Sequence, residues 1–290
     1  MPNIIALAKN YTGLLDEVYK SASVTADLIS DSSMMRAGAN ANEILYPQID
    51  ITGLGDYDRN SGYTNASVSV VWKTAQFKYD RGAKLSVDTM DDQETFNIAF
   101  GMAGGTLQRD KVAPEADAFT FATLAGIEGI SKAVAATYAD GTAFLNALLE
   151  AKNVMDEDEV PEEGRLLYAT STLLNSVMAL DTNKSREILN AFTIKKAVPQ
   201  SRFYTAIDLL DGKTAGEEAG HFTKSITAKD INFMIIHKPA IIKFDKHTVS
   251  SIISPDNNPS ADAYIAKYRK YGLVDVYKNK VAGIYLSHKA

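Results

Sequence analysis

The chain has 290 residues, 46% of them apolar, and a formal charge of −6. That apolar share is enough for a real core and excludes bulk disorder, and a net acidic chain does not coat itself onto nucleic acid, which demands Lys and Arg against phosphates. The absence of cysteine excludes disulfides and thiolate metal sites and makes a reducing compartment natural.

The length fits one large domain or two ordinary ones. The start, "MPNIIALAKNYTGLL", lacks a basic segment and a sustained apolar run, so no signal peptide is expected. Residues 10–29 read as an amphipathic helix with Leu14, Leu15, Val18 and Tyr19 on one side. "SSMMRAGANAN" reads as a loop and "EILYPQIDITGLG" as extended, with Ile49 and Ile51 sharing a face.

"DYDRNSG", residues 56–62, resembles a calcium loop because acidic or amide groups recur at alternate positions. Such a loop needs glycine at position six and a bidentate glutamate at twelve, where this chain has Ser61 and Ser67. Asp, Asn, Ser and Gly are also turn residues, and a turn is the expectation. In the stretch that follows, Val68, Val70 and Trp72 share even parity, whereas Phe77, Tyr79, Leu85 and Val87 share odd parity. A strand repeats every two residues, so this change implies a β-bulge or bend near Thr74. The outcome is a long hairpin arm, marginal alone in water and in need of a partner surface.

Asp91, Asp92 and Glu94 open a helix. Phe96, Phe100, Ala103 and Leu107 mark one face of it, and Phe119, Ala122 and Leu124 continue it toward Gly126. Gly104 and Gly105 weaken it, and Pro114 is expected to kink it. The element runs over roughly 92–125. A second helix is expected at 140–156, then an acidic loop, "DEDEVPEEG", a buried strand, "RLLYATS", and a helix, "STLLNSVMALD". "AVPQSRFYTAIDLLDGKTAGEEAGHF" reads as a strand and a long loop. Two strands flank Lys238-Pro239, and their apolar run is too short and polar to span a bilayer. Residues 263–289 read as a final extended hairpin. Residues 261–290 carry six Lys or Arg against two Asp, with five tyrosines. Without an RNA-binding signature, Lys267, Arg269 and Lys270 are read as lysine-type coating of sheet edges.

Catalytic chemistry has little support. The histidines, His221, His237, His247 and His288, are scattered. Glu217 and His221 have helical spacing, but Gly216 and Gly220 argue against a helix there. No P-loop, dinucleotide-binding or nucleophile-elbow pattern occurs. No catalytic residue, metal ligand set or cofactor is assigned. A metal-dependent hydrolase using Asp56 and Asp58 is the one enzymatic reading, and the motif evidence opposes it.

Several stretches closely resemble the major capsid proteins of tailed bacteriophages: "TGLGDYDRNSGYTN", "VWKTAQFKYDRGAKLSVDTMDDQET", "LQRDKVAPEADAFTFATLA", "EEGRLLYATSTLLNSVMA" and "VPQSRFYTAIDLLDG". The most specific run lies between Asp80 and Thr95. The resemblance implies an α+β fold of the Hong Kong 97 type. It makes residues 1–36 an N-terminal arm, and 37–129 with 251–290 a peripheral domain. Within that domain it implies an extended E-loop over about 50–80 and a spine helix over about 92–125. Residues 130–250 become the axial domain. The implied function is a non-enzymatic coat protein that assembles with itself, as pentamers and hexamers, around double-stranded DNA in the virion. Assembly would take place in the host bacterial cytoplasm, with a portal and a separate scaffolding protein as partners and no membrane. An encapsulin-like compartment shell shares the fold and is the alternative. Tyr57, Arg59, Tyr63, Trp72, Phe77 and Tyr79 are the implied assembly contacts. Lys73 and Lys78 are placed for an isopeptide cross-link, but no partner Asn or catalytic Glu is identifiable, so none is expected.

Overall fold

The computed structural model describes residues 22–30, 36–38, 40, 42–60, 62–94 and 98–290. Leu14, Leu15, Val18, Tyr19, Ser61 and Phe96 lie outside them, as does the side chain of Phe100. Of the expected helix 10–29, the described part shows helix at Ala22 and a 3-10 turn at Ala26–Leu28.

The arm is an antiparallel sheet of β1 (Arg36–Ala37), β2 (Glu43–Ile51) and β3 (Val68–Gln76), in that order. β2 and β3 pair without a slip from Glu43 opposite Gln76 to Ile51 opposite Val68. The bulge expected near Thr74 is therefore absent; Thr74 sits in register opposite Leu45. The parity change has another cause. The chain leaves this sheet after Gln76, and β4 (Tyr79–Asp88) pairs with β12 (Ala263–Val276) in a different one. Ala75, Phe77 and Tyr79 face inward on one parity, while Val68, Val70 and Trp72 stay exposed on the other. Both parities are thus apolar for separate reasons.

The spine begins at α1 (Thr89–Glu94), where the Asp88 carboxylate accepts a hydrogen bond from Met90 N at 2.9 Å. It continues as α2 (Ile98–Leu107), a π turn (Gln108–Val112) and α3 (Ala113–Ala125). Pro114 stands in the first turn of α3. Proline lacks an N–H and its ring collides with the carbonyl four residues back. The disruption expected at Pro114 takes the form of the wider π turn directly before it.

A five-stranded sheet forms the centre, in the order β5 (Ser131–Lys132), β13 (Ile284–His288), β10 (Ile231–His237), β6 (Arg165–Thr170), β7 (Ile194–Val198). Every residue of β6 and β10 is buried, as near-continuous apolar strands are when both faces are covered. Leu166, Tyr168, Met234 and Ile236 pack with Phe121 and Leu124 of the spine. Leu167, Ala169, Phe233 and Ile235 pack on the other side with Phe144, Leu148 and Val177. Those last residues come from α4 (Gly141–Glu157) and α5 (Ser171–Met178), and α6 (Asn183–Asn190) adds Ile188 and Leu189. Asp140 caps α4 through Ala143 N, and Thr182 with Ser185 forms a capping box on α6.

β8 (Ile207–Leu209) and β9 (Phe222–Lys224) make a small separate sheet closed by the loop 210–221. The last sheet is β11 (Ile241–Ile253), β12 and β4. The final hairpin expected over 263–289 does not form: β12 pairs with β11 and β4, whereas β13 pairs with β10 and β5. The patterns differ accordingly, since β12 is partly exposed along its length while four of five β13 residues are buried. By strand membership, the chain leaves the central sheet at Lys238–Ala240 and re-enters it at Ile284.

Candidate assembly surface

Strand register sets the character of the arm. Pro47 stands opposite Trp72, Ile49 opposite Val70, and Ile51 opposite Val68. Directly opposed residues share a face, so the arm presents one apolar ladder. Ile51 and Val68 are 62% and 64% exposed, and Trp72 is 40% exposed beneath the guanidinium of Arg36, 4.8 Å from its ring. At the tip, Tyr57 and Tyr63 are exposed and meet edge to face at 4.9 Å. Arg59 is exposed beside them.

"DYDRNSG" is a turn. Asp58 and Gly62 exchange backbone hydrogen bonds, and the Asp58 carboxylate accepts from Asn60 N at 2.7 Å. Gly62 has φ of 82°, which glycine adopts without steric cost. Among the described residues no group of three or more side chains is placed to hold a metal ion.

The arm's root is part of the folded body. Ile44, Tyr46, Ala75 and Phe77 cluster with Ile242 and Leu273. Phe77 stacks on Tyr271 at 4.9 Å, and Tyr79 packs against Phe119 at 4.9 Å. Phe77 and Tyr79 are only 7% and 5% exposed. They therefore leave the set of outward contacts, because their parity faces the subunit's own sheet. Trp72, Tyr57, Arg59 and Tyr63 keep accessible surface. Lys73 stands opposite Tyr46 near the root, and Lys78 lies between the two sheets. Burial pushes the Tyr46 phenol up to about 12.

Two carboxylates on α3 tie distant elements together. Glu115 accepts from Arg81 Nε at 2.7 Å and Nη2 at 3.3 Å, and from the Tyr79 hydroxyl at 3.2 Å. His221 Nδ1 lies 3.5 Å from it, and the His221 carbonyl accepts from Arg81 at 3.2 Å. His221 is thus paired with Glu115 rather than with Glu217, which accepts from Asp211 N instead. A cavity of about 520 Å³ opens beside this joint, between β4, the spine and the loop 210–221. Asp117, fully buried, accepts from the hydroxyls of Ser23 and Thr25, from Val24 N and Thr25 N, and from Arg202. Lys243, buried, donates to the Thr25 carbonyl at 3.0 Å and hydroxyl at 2.6 Å. Lys196 reaches Asp27 and the Val24 carbonyl. The segment 22–28 is latched to the body at these points.

Sequence reasoning missed both carboxylates. Their signal was present: "APEADAFTF" places Glu115 and Asp117 inside an otherwise apolar helical stretch, and a buried acid needs a partner.

In the basic terminal segment, Arg269, Lys270 and Lys289 are matched by acids of the subunit. Arg269 binds Asp80 through two nitrogens at 2.9 and 2.7 Å, and Lys270, buried, lies 3.1 Å from Asp245.

No family model and no curated protein matches the sequence. Solved structures do match in fold. A structure from Mycobacterium phage Che8 aligns with a TM-score of 0.60 at 12% identity, covering 91% of this chain and 90% of that one. The capsid structure of the cyanophage P-SCSP1u gives 0.59 at 12% identity over 93% and 88%. The virus-like particle from Pyrococcus furiosus gives 0.59 at 9% identity over 97% and 99%. The chain has the mixed α+β fold of phage capsid structures along almost its whole length. The resemblance to tailed-phage major capsid proteins is thus met at the level of fold.

Proposed function

We propose that this protein is a coat subunit whose copies close, as pentamers and hexamers, into an icosahedral shell around phage double-stranded DNA. The observation that carries this reading is the arm: a hairpin rooted in the core by Tyr46, Ala75 and Phe77, with an apolar ladder of Ile49, Ile51, Val68, Val70 and Trp72 left uncovered. Exposed apolar faces of this kind mark association surfaces, and a symmetric assembly covers them with further copies. In this reading the three-stranded sheet and the spine form the peripheral domain, and the five-stranded sheet with its helices forms the axial domain. The role is structural rather than catalytic. A portal and a separate scaffolding protein are the further partners, and DNA is enclosed without base-specific contact. The subunit resides in the virion after assembly in the bacterial cytoplasm.

The likeness to a virus-like particle over 97% of this chain favours a second reading, an encapsulin-like shell that encloses protein. Electron microscopy of the purified recombinant chain tests the first step by reporting whether shells form and their diameter. Content separates the readings: nuclease-protected DNA in shells from infected cells supports the coat protein, and a co-purifying cargo enzyme supports the compartment.

A further inference from the structure

The central sheet contains a parallel pair, β6 and β7, whose last residues, Thr170 and Val198, are register partners. α5 starts at the next residue, Ser171. A cavity of about 340 Å³ opens at this edge, bordered by Thr170, Ser171, Thr172, Gln200, Asn232 and Lys289. Outside the carboxyl ends of parallel strands is where open α/β sheets bind ligands, and pockets for small organic ligands span about 300–1,000 Å³.

Two buried polar side chains reach this cavity with hydrogen-bonding capacity to spare. Thr170 is 8% exposed and Asn232 2%. Thr170 holds the cap position of α5, yet its hydroxyl caps nothing and has no hydrogen-bond partner among the described residues. The Asn232 amide donates to the Ala136 carbonyl at 2.8 Å and to Ser287 Oγ at 3.4 Å, which fixes its orientation. Its Oδ1 accepts from no group among the described residues. A buried polar group left unmatched costs stability, and both of these border open volume. Because α5 lacks a side-chain cap, its first backbone N–H groups are unmatched as well, and Ser171, Thr172 and Leu173 line the cavity.

Lys289 supplies a cation. Its ammonium lies 3.1 Å from Asp230 and 3.4 Å from Gln200 Oε1, which leaves a further donor unused. Asp230 is also bound by Lys224 at 2.7 Å, so two lysines share one carboxylate and the cluster keeps a positive charge. Among the described residues no carboxylate lines this cavity. The larger cavity beside Glu115 differs, since Glu115, Asp211 and Glu218 all border it.

We propose that this cavity binds a small phosphate-bearing molecule, with the phosphate at the start of α5 between Thr170, Thr172 and Lys289. Unmatched N–H groups at a helix start favour such an oxyanion, and the hydroxyls and the ammonium add donors. Asn232 Oδ1 accepts a hydroxyl or amino hydrogen from the remainder of the molecule. The cavity is formed within one subunit, so the inference stands apart from the shell reading.

Isothermal titration calorimetry on the full chain at constant ionic strength, with inorganic phosphate and adenosine monophosphate as probes, tests this. Thr170→Val keeps the shape and removes the hydroxyl, and Lys289→Gln removes the charge. Each is expected to weaken binding by about tenfold. Thr172→Glu places a carboxylate at the helix start, and is expected to abolish binding while raising the thermal midpoint of the ligand-free protein. That opposite sign separates an occupied anion site from a misfolded one, and melts of the other two variants report their fold. Tighter binding of the nucleotide than of inorganic phosphate supports the proposal with an ester as ligand, and equal binding supports it with free phosphate. The proposal is overturned if neither probe binds the parent chain at millimolar concentration, or if all three variants bind like the parent. It is also overturned if a short DNA duplex binds in a Lys289-dependent way while the small probes do not, which would assign the lysine to a nucleic-acid surface. Binding is read whether or not the chain assembles, so failure of the shell reading leaves this test intact.

Discussion

Asp117 and Thr25 are 92 residues apart, yet one carboxylate oxygen of Asp117 accepts both the Thr25 amide at 3.0 Å and its hydroxyl at 2.6 Å. The spine helix thereby holds the segment that precedes the arm. Asp117→Asn keeps the shape but turns an amide N–H₂ toward donors, leaving Arg202 without its carboxylate. Breaking a buried charged pair in this way costs about 3–5 kcal/mol. Chemical denaturation is expected to show a loss of that size. Hydrogen exchange should show faster exchange at Val24 and Thr25 than in the parent chain. An unchanged exchange rate there would remove Asp117 as the latch.

Glu115 gives the body a pH dependence with a definite sign. Burial pushes its carboxyl up, but the close approach of His221, with the hydrogen bonds and charge of Arg81, outweighs that and holds it below the usual carboxylate range. A carboxylate depressed in the folded state stabilises above its unfolded pKa, and that contribution is lost as pH falls through the folded value. The thermal midpoint is therefore expected to fall more on acidification in the parent chain than in Glu115→Gln. At neutral pH the variant should be less stable by about 1–3 kcal/mol, since Arg81 loses its charged acceptor. Parallel curves for the two proteins below neutrality would contradict this.

Lys243 acts in the same direction, in an alkaline window. Burial, then repulsion from Lys270, lowers its pKa to about 8. Between that value and the ordinary lysine pKa of about 10.4, the unfolded chain binds more protons than the folded one, so stability rises with pH across that window. The difference in thermal midpoint between the parent chain and Lys243→Met, measured from pH 7.5 to 10, isolates the effect. It is expected to shift in the parent's favour as pH rises, and a flat difference would mean that the folded amine is better solvated than its burial implies and keeps the ordinary lysine value.

Much of the fold was legible because it rests on local patterning. The Asp58–Gly62 turn, the long helix up to Gly126, and the buried strand Arg165–Thr170 followed by a helix all follow from turn chemistry and periodicity. What was not legible depends on which sheet a strand joins. A period of two gives the faces of a strand but not its partner, so the change of sheets at Phe77 looked like a bulge. Ile284–His288 looked like the return of the strand before it for the same reason. On the candidate surface, Tyr57, Tyr63 and Trp72 are exposed while Phe77 and Tyr79 are buried, because aromatic type does not say which side of an arm's root a residue faces. The α3 carboxylates were not read as joints since their partners lie 34 to 106 residues away.

The arm itself gives the most direct test of the shell reading. Among the described residues, its distal half, from Ile49 through the turn to Val70, contributes nothing to the hydrophobic clusters of its own subunit. Its root does contribute, through Ile44, Tyr46, Ala75 and Phe77. Replacing residues 53–66 with a two-residue Asn-Gly turn, which suits a hairpin, therefore leaves every buried contact of the root in place. The shortened chain is expected to fold, with a thermal midpoint close to that of the parent, and to remain unassembled in sedimentation velocity. Ile49→Thr with Val70→Thr is expected to behave likewise at full arm length, since both residues are 53% exposed in the free subunit. Surface changes of that kind usually shift stability by less than about 0.5 kcal/mol. If the shortened chain unfolds, the tip is part of the core after all. If it closes normal shells, copies associate through another surface and the apolar ladder has a different occupant.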